Sequence, residues 1–280
     1  MARDLLPLVR QALTGRYSIE REVGRGGAAR VFLAHTPGGA PVALKVLHPQ
    51  LAASITADRF LREIELASQL SHPRIARLLD YGEGDWLLWY VMEYVPGPSL
   101  RQHLERVRRV PVADTVRLAH DLCGALGAAH ARGIVHRDVK PENIVVSPEG
   151  AVLVDFGIAK AVAAAGSDRL TRSGFAVGTS TYMSPEQITG FDGIDPRSDL
   201  YSLACVLFEC LAGHPPYDDP FEDLVLTRHQ TAPVPDIRPL RPDTPESLAA
   251  VVERALAKDR ADRWAGAAEM AAALPSLAHI

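Results

Sequence analysis

The apolar residues of this chain change their spacing near residue 95, and that change limits the fold more than any single motif. Before it, short alternating runs predict strands over Tyr17 to Val23, Val31 to His35, Val42 to Leu47, Ile75 to Leu79 and Leu87 to Glu93. A helical lead, Leu5 to Leu13, precedes them, Thr36-Pro-Gly-Gly39 predicts a turn, and Asp58 to Leu70 carries apolar residues at helical spacing. From Ser99 onward the period is helical. Val112 to Ala131 is long and largely apolar, Asp199 to Leu211 is apolar enough to be buried all round, and Ala265 to Leu274 is a further helix. Only Ile144 to Val146 and Val152 to Val154 interrupt as strands, joined by Ser147-Pro-Glu-Gly150 as a hairpin turn. The division predicts an α+β protein of two lobes. Residues 17–94 form a small β-rich lobe with one helix, 95–98 (Val95-Pro-Gly-Pro98) a connector, and 99–280 a larger, mainly helical lobe, behind a lead over residues 1–16. A ligand site is expected where the two compositions meet.

The candidate chemistry begins with Val23-Gly-Arg-Gly-Gly-Ala-Ala-Arg-Val31, a glycine turn between two strands whose backbone N–H groups can approach a phosphate closely. By itself this is also what an ordinary hairpin contains. Lys45 stands in the middle of an apolar strand, where a charge has to be paired or used, and Glu63 on the next helix is the expected partner. A purely structural ion pair is the alternative reading of those two. More specific is His136-Arg-Asp-Val-Lys-Pro-Glu-Asn143, followed twelve residues later by Asp155-Phe-Gly157 at the end of the hairpin. Phosphoryl transfer needs carboxylate and amide oxygens for Mg²⁺, a cation on the transferred group and a carboxylate near the attacking hydroxyl. Asp138, Lys140, Asn143 and Asp155 supply that set in order.

From these motifs the chain resembles the eukaryotic-like (Hanks-type) protein kinases, most closely the bacterial serine/threonine members, over residues 17–274. The resemblance implies the bilobal protein-kinase fold, a small β-rich N-lobe with one regulatory helix and a larger, mainly helical C-lobe. It implies ATP as phosphoryl donor and Mg²⁺ as cofactor, with Mn²⁺ as a substitute. Lys45 would contact the α- and β-phosphates, held by Glu63; Asp138 would be the base; Lys140 would neutralise the γ-phosphate; Asn143 and Asp155 would hold the metal. The backbone of Gly24, Arg25, Gly26, Gly27, Ala28 and Ala29 would cover the phosphates. Val23, Val31, Ala43, Met92 and Val145 would enclose adenine, with Met92 as gatekeeper and the backbone of Glu93 to Val95 hydrogen-bonding the base. Two positions depart from the pattern mildly: Ala29 replaces the third glycine, and Ser184 replaces the more usual alanine of Ser184-Pro-Glu186.

Further positions carry structural and regulatory expectations of the family. Glu186 should pair with Arg263, and Asp199 should cap the backbone of the loop around Asp138. Lys140, two residues after the base, implies serine and threonine as targets, and the Thr179 hydroxyl is expected to bond Asp138 and Lys140. Arg137 implies control by a phosphate on the activation segment, with autophosphorylation expected at Thr171, Ser173 or both. The basic run Arg101 to Arg109 is expected to be a solvated helix face. Two other readings share parts of the pattern. A pseudokinase binding module would lack Lys45, Asp138 or Asp155, all of which are present; an aminoglycoside-type phosphotransferase would lack the Ser184-Pro-Glu186 and Arg263 arrangement.

Bulk properties set the remaining expectations. The chain has 280 residues, enough for two cores, and a net charge of −4, which excludes the basic field of a nucleic-acid or membrane-surface binder. Protein substrates are the expected partners, with a transient or regulatory homodimer besides. Cys123, Cys205 and Cys210 sit in apolar, helix-like stretches and read as buried, reduced thiols. No apolar run has membrane-spanning length and the N-terminus has no signal-peptide core, so a cytoplasmic location is expected, any membrane anchor lying beyond Ile280.

Overall fold

Strand β1 (Ser18–Arg25) opens an antiparallel sheet that continues through β2 (Ala29–His35), β3 (Pro41–Leu47), β4 (Leu78–Gly84) and β5 (Leu87–Glu93), in the order β1-β2-β3-β5-β4. The structure is a computed structural model that describes residues 5–26, 29–48, 64–84, 87–156, 180–190 and 193–277. Its chain divides into two compact units. One holds the described residues of Met1–Ser71 and Ala76–Val95, the other those of His72–Ile75, Pro96–Phe156 and Thr179–Ile280.

In the first unit, β-branched and aromatic residues of the sheet turn one face toward helix α1 (Leu6–Ala12), which Pro7 starts. Leu5, Val9 and Leu13 pack with Ile19, Phe32, Leu44, Val46, Trp89 and Val91 in one buried cluster, so the short lead closes the sheet's apolar face. Its Arg10 also donates to the carbonyls of Ile19 and Glu20 at 3.2 and 3.0 Å, satisfying acceptors on the edge strand β1. Tyr17, just before β1, donates to Asp80 on the opposite edge strand β4 at 2.7 Å. A flat sheet would separate those edges by four spacings of about 4.8 Å, so this one is strongly curled.

The sheet differs from expectation at β4. The strand is not Ile75 to Leu79 but Leu78–Gly84, while Ile75 makes only an isolated bridge to Leu153 in the second unit. The polar stretch Asp80-Tyr-Gly-Glu-Gly84 can be a strand because β4 ends the sheet and pairs with a strand on one side only. Gly82 faces Trp89, and a Cβ there would lie 2.7 Å from the indole ring, so the glycine makes room for the aromatic. Of the helix expected over Asp58 to Leu70, residues 64–68 are helical and the part before them lies outside the described residues.

The second unit is built on α2 (Leu100–Val107), α3 (Val112–His130), the hairpin of β6 (Ile144–Ser147) and β7 (Gly150–Leu153), α4 (Pro185–Ile188), α5 (Pro196–Ala212), α6 (Glu222–Thr231), α7 (Glu246–Ala255) and α8 (Ala267–Ala273). Helix α5 is buried from Ser198 to Ala212. It packs against α3 and α7, and α3 packs in turn on α8 and β7. Local signals set the ends. Ser99 and Gln102 form a capping box on α2, Asp195 caps α5 ahead of Pro196, and Gly213 ends α5 in the left-handed region at φ 85°. Among the described residues no helix is long and apolar enough to cross a membrane.

Candidate active site

The loop between α3 and β6 is held from beneath by α5. The Asp199 carboxylate, fully buried, accepts the backbone N–H of His136 at 2.8 Å through one oxygen and that of Arg137 at 2.8 Å through the other. His130 at the end of α3 also bonds Asp199, through Nε2 at 2.8 Å. An acceptor-only carboxylate suits two converging donors, which a loop cannot supply with carbonyls of its own. Arg137 is left-handed at φ 63°, and its carbonyl accepts from Gln187 Nε2 at 2.9 Å. A bulky residue in that region is strained and persists only where its surroundings fix it.

His136 is fully buried, and its Nδ1 accepts the Asp138 N–H at 3.2 Å. Burial pushes the imidazole below its ordinary pKa against the opposing pull of Asp199, Asp138 and Asp155. The ring is therefore neutral, with its proton on Nε2.

These constraints present the Asp138 side chain. Lys140 Nζ lies 2.9 Å from Asp138 Oδ2, and Asn143 Nδ2 donates to the same oxygen at 3.0 Å and to the Asp138 carbonyl at 2.8 Å. With its nitrogen so used, the Asn143 amide has its oxygen to offer a hard cation. The Val154 N–H donates to the Asn143 carbonyl at 2.9 Å, tying this loop to the end of the β6–β7 hairpin. Asp155 follows in the left-handed region at φ 64°, and Phe156 packs its ring on His136 at 4.7 Å between centroids. A carboxylate and an amide oxygen thus sit on two hydrogen-bonded loops, a donor set that fits Mg²⁺ better than a softer metal.

The first unit places the other expected residues on its sheet. Lys45 lies on β3 opposite Val31 on one side and Tyr90 on the other, with Nζ 5.7 Å from the Tyr90 ring centroid. Val23, Gly24 and Arg25 end β1, where Gly24 pairs with Val31 and Arg25 forms an exposed ion pair with Glu22 at 2.7 Å. The Gly26 N–H donates to the Ala29 carbonyl at 3.0 Å, closing the glycine hairpin. Ala43 and Met92 are cross-strand partners. The Glu93 N–H is spent on the Arg77 carbonyl at 2.9 Å. Val95 ends the first unit, and Val145 lies on β6 of the second, paired with Val152. Gly27, Ala28, Glu63, Thr171, Ser173 and Thr179 lie outside the described residues.

Helix α4 carries Glu186 into the interior of the second unit. Arg263, fully buried, donates to its two oxygens at 2.7 and 2.9 Å, and Ser198 Oγ donates to one of them at 2.6 Å. Burial would raise the Glu186 pKa, but the Arg263 and Ser198 hydrogen bonds outweigh it and hold the carboxyl below the ordinary range. The remaining guanidinium protons go to the carbonyls of Ala257, Lys258 and Arg197 at 2.8, 3.0 and 3.3 Å. Every charge in the pair is therefore satisfied, as burial requires.

The expected solvated face holds for Arg106, Arg108 and Arg109, which are exposed, but not for Arg101. Arg101 instead binds Glu209 of α5 at 2.7 Å and Glu142 at 2.9 Å, and it hydrogen-bonds the Tyr182 hydroxyl, which itself donates to Glu209 at 2.5 Å. The cause is Glu209, a carboxylate within an almost wholly apolar buried helix that has to recruit a cation and a hydroxyl. Its position in the run Leu203 to Ala212 is the signal that would have found Arg101 and Tyr182. Gln187 has a weaker signal, the capping-box spacing from Ser184.

Comparison with known proteins identifies the family. The family model described as protein kinase domain matches residues 17–274. The serine/threonine-protein kinase PknH of Mycobacterium bovis is 38% identical over 265 residues, covering 94% of this chain and 44% of the relative. PknD of Mycobacterium tuberculosis is 41% identical over 263 residues, covering 92% of this chain and 39% of its own. PknB of Mycolicibacterium smegmatis is 42% identical over 272 residues, covering 94% and 43%. The chain thus spans less than half the length of these curated relatives. A crystal structure of Rad53 residues 1–466 in complex with AMP-PNP superposes with a TM-score of 0.77 over 95% of this chain and 67% of that one; at 24% identity this shows the fold alone. With the small antiparallel sheet, the helical second unit and the Asp199-capped loop all present, the chain belongs to the protein kinase domain family.

Proposed function

We propose that this chain transfers the γ-phosphoryl group of ATP to serine and threonine hydroxyls of proteins. One observation carries the proposal above the rest: Asp138 is held between Lys140 at 2.9 Å and Asn143 at 3.0 Å on a loop whose backbone Asp199 fixes. In that setting the Asp138 carboxylate orients the acceptor hydroxyl and takes its proton, while Lys140 offsets charge on the transferred group. Lys45, with Glu63 as its partner, would bind the α- and β-phosphates, and the backbone from Gly24 to Ala29 would cover them. Val23, Val31, Ala43, Met92 and Val145 would enclose the adenine, and Glu93 and Val95 would hydrogen-bond it. Asn143 and Asp155 would hold Mg²⁺, or Mn²⁺ in its place. Held there, the ion would offset the negative charge of the phosphates.

Arg137 lies next to Asp138, and a phosphate at Thr171 or Ser173 would give it a dianionic partner. We place the activity in the cytoplasm, on protein substrates, with a transient homodimer as the route by which one copy phosphorylates the activation segment of another. The test is incubation with radiolabelled ATP, Mg²⁺ and a generic basic protein. Label on serine or threonine should fall on the order of a hundredfold or more in Asp138→Asn, the usual worth of a positioned base. ATP binding without transfer by the unaltered chain, or label only on small acceptors, would sink the proposal.

A further inference from the structure

The backbone at Arg137 is clamped from both sides. Asp199 takes its N–H at 2.8 Å, and Gln187 Nε2 donates to its carbonyl at 2.9 Å. Between those contacts the residue holds φ 63°, and the next N–H, that of Asp138, bonds His136 Nδ1. Release of the carbonyl would let the peptide between Arg137 and Asp138 rotate toward an unstrained conformation, and the carboxylate would move with it.

The Gln187 amide is itself oriented. Its Oε1 accepts the Ser184 N–H at 3.1 Å and the Ser184 hydroxyl at 3.3 Å, and the Ser184 Oγ accepts the Gln187 N–H at 3.4 Å, completing a capping box on α4. Because Oε1 faces donors, Nε2 must be the atom that meets the Arg137 carbonyl, an assignment that the network determines. A capping box needs only the oxygen, and glutamate fills that position as well as glutamine. The amide nitrogen is surplus to the cap and is spent on the loop, fifty residues away in sequence, that carries Asp138.

We propose that Gln187 is a positioning residue for Asp138, and that Ser184, where the family more often has alanine, sets its amide. The inference rests on the reading of Asp138 as the base. It makes α4 a second support of the loop, acting on the Arg137 carbonyl as Asp199 acts on the N–H.

The test compares Gln187→Glu with the unaltered chain at matched phosphate content by intact mass, with Asp138→Asn alongside. Glutamate keeps the acceptor for the Ser184 N–H but presents an oxygen to the Arg137 carbonyl. Expected are a fall in kcat of roughly tenfold, an unchanged KM for ATP, an unchanged thermal midpoint, and faster amide hydrogen exchange in the peptide spanning residues 133–143. A kcat and exchange rate equal to those of the unaltered chain, with Asp138→Asn inactive, would overturn the positioning role alone. Full transfer by Asp138→Asn would overturn the reading beneath it. Loss of thermal midpoint with kcat per folded molecule unchanged would make Gln187 a helix cap only and also overturn the proposal.

Discussion

Arg263 holds Glu186 through both terminal nitrogens, at 2.7 Å to one carboxylate oxygen and 2.9 Å to the other, 77 residues away in sequence and out of contact with solvent. Arg263→Ala would leave a buried carboxylate without its cation, and should cost about 3–5 kcal/mol in urea denaturation. Arg263→Lys, which has no fork, should recover only part of that. The Glu186 pKa is lower in the folded chain than in the unfolded one, so the pair's contribution is complete above about pH 4.3 and is lost as pH falls through the folded value. The difference between the unaltered chain and Arg263→Ala should therefore narrow under acid; a constant difference from pH 7 to pH 3 would contradict the assignment.

Asp199 supports two backbone N–H groups and one imidazole with two oxygens. Asp199→Asn replaces one of those oxygens by an NH₂ that faces a donor, leaving a buried N–H without an acceptor. A loss of about 2 kcal/mol is expected, with kcat reduced at least tenfold because the loop bearing Asp138 loses a support. Denaturation and steady-state kinetics on the same preparation check both; full kcat would mean that the loop holds its shape without Asp199.

His229 on α6 is fully buried, bonded through Nδ1 to the Tyr201 hydroxyl at 2.8 Å and stacked edgewise on Tyr217. Lys258 shares the pocket, donating to Tyr217 at 2.7 Å. Burial, reinforced by the Lys258 charge, lowers the His229 pKa to about 4. The unfolded histidine takes up its proton near pH 6.5, so stability that is full above that value is lost progressively down to pH 4, by an amount on the order of 3 kcal/mol. In His229→Gln that part of the pH slope should vanish, closing the gap to the unaltered chain as the pH is lowered. Parallel curves for the two proteins would refute the buried neutral imidazole.

The lead helix α1 lies before the matched family segment, yet Val9 is fully buried in the core of the sheet. A chain beginning at Tyr17 would uncover Ile19, Phe32 and Leu44, and should lose at least about 3 kcal/mol. Val9→Ala alone should lose about 2 kcal/mol. Equal denaturation midpoints for the truncated and full chains would show that the helix is only an appendage.

Charge made much of the site legible. Lys45, Asp138, Asp155 and Glu186 are ionisable residues in or beside apolar segments, where each needs a use or a partner, and their order along the chain limited what that use was. Elements with a strong period, such as α3 and α5, were equally plain. Strand β4 was not, because its residues are polar and its pairing comes from β5 rather than from a pattern of its own. Arg101 was misread because its partner Glu209 lies 108 residues away, and a helical wheel drawn on α2 does not contain it. Gln187 is uncharged and sits in a four-residue helix, so only the folded loop reveals which atom it serves.

The three cysteines are all buried, and burial raises each thiol pKa, that of Cys123 to about 12 and those of Cys205 and Cys210 further still. Almost none is thiolate at neutral pH, and the thiolate is the species that reacts. Maleimide reagents should leave the native chain unmodified while labelling it fully in urea. The protein is in effect a cysteine-free background as it stands: one cysteine introduced on each unit would accept a donor and an acceptor dye without removal of a native residue. Single-molecule energy transfer between them would then report the unfolding of the chain in urea.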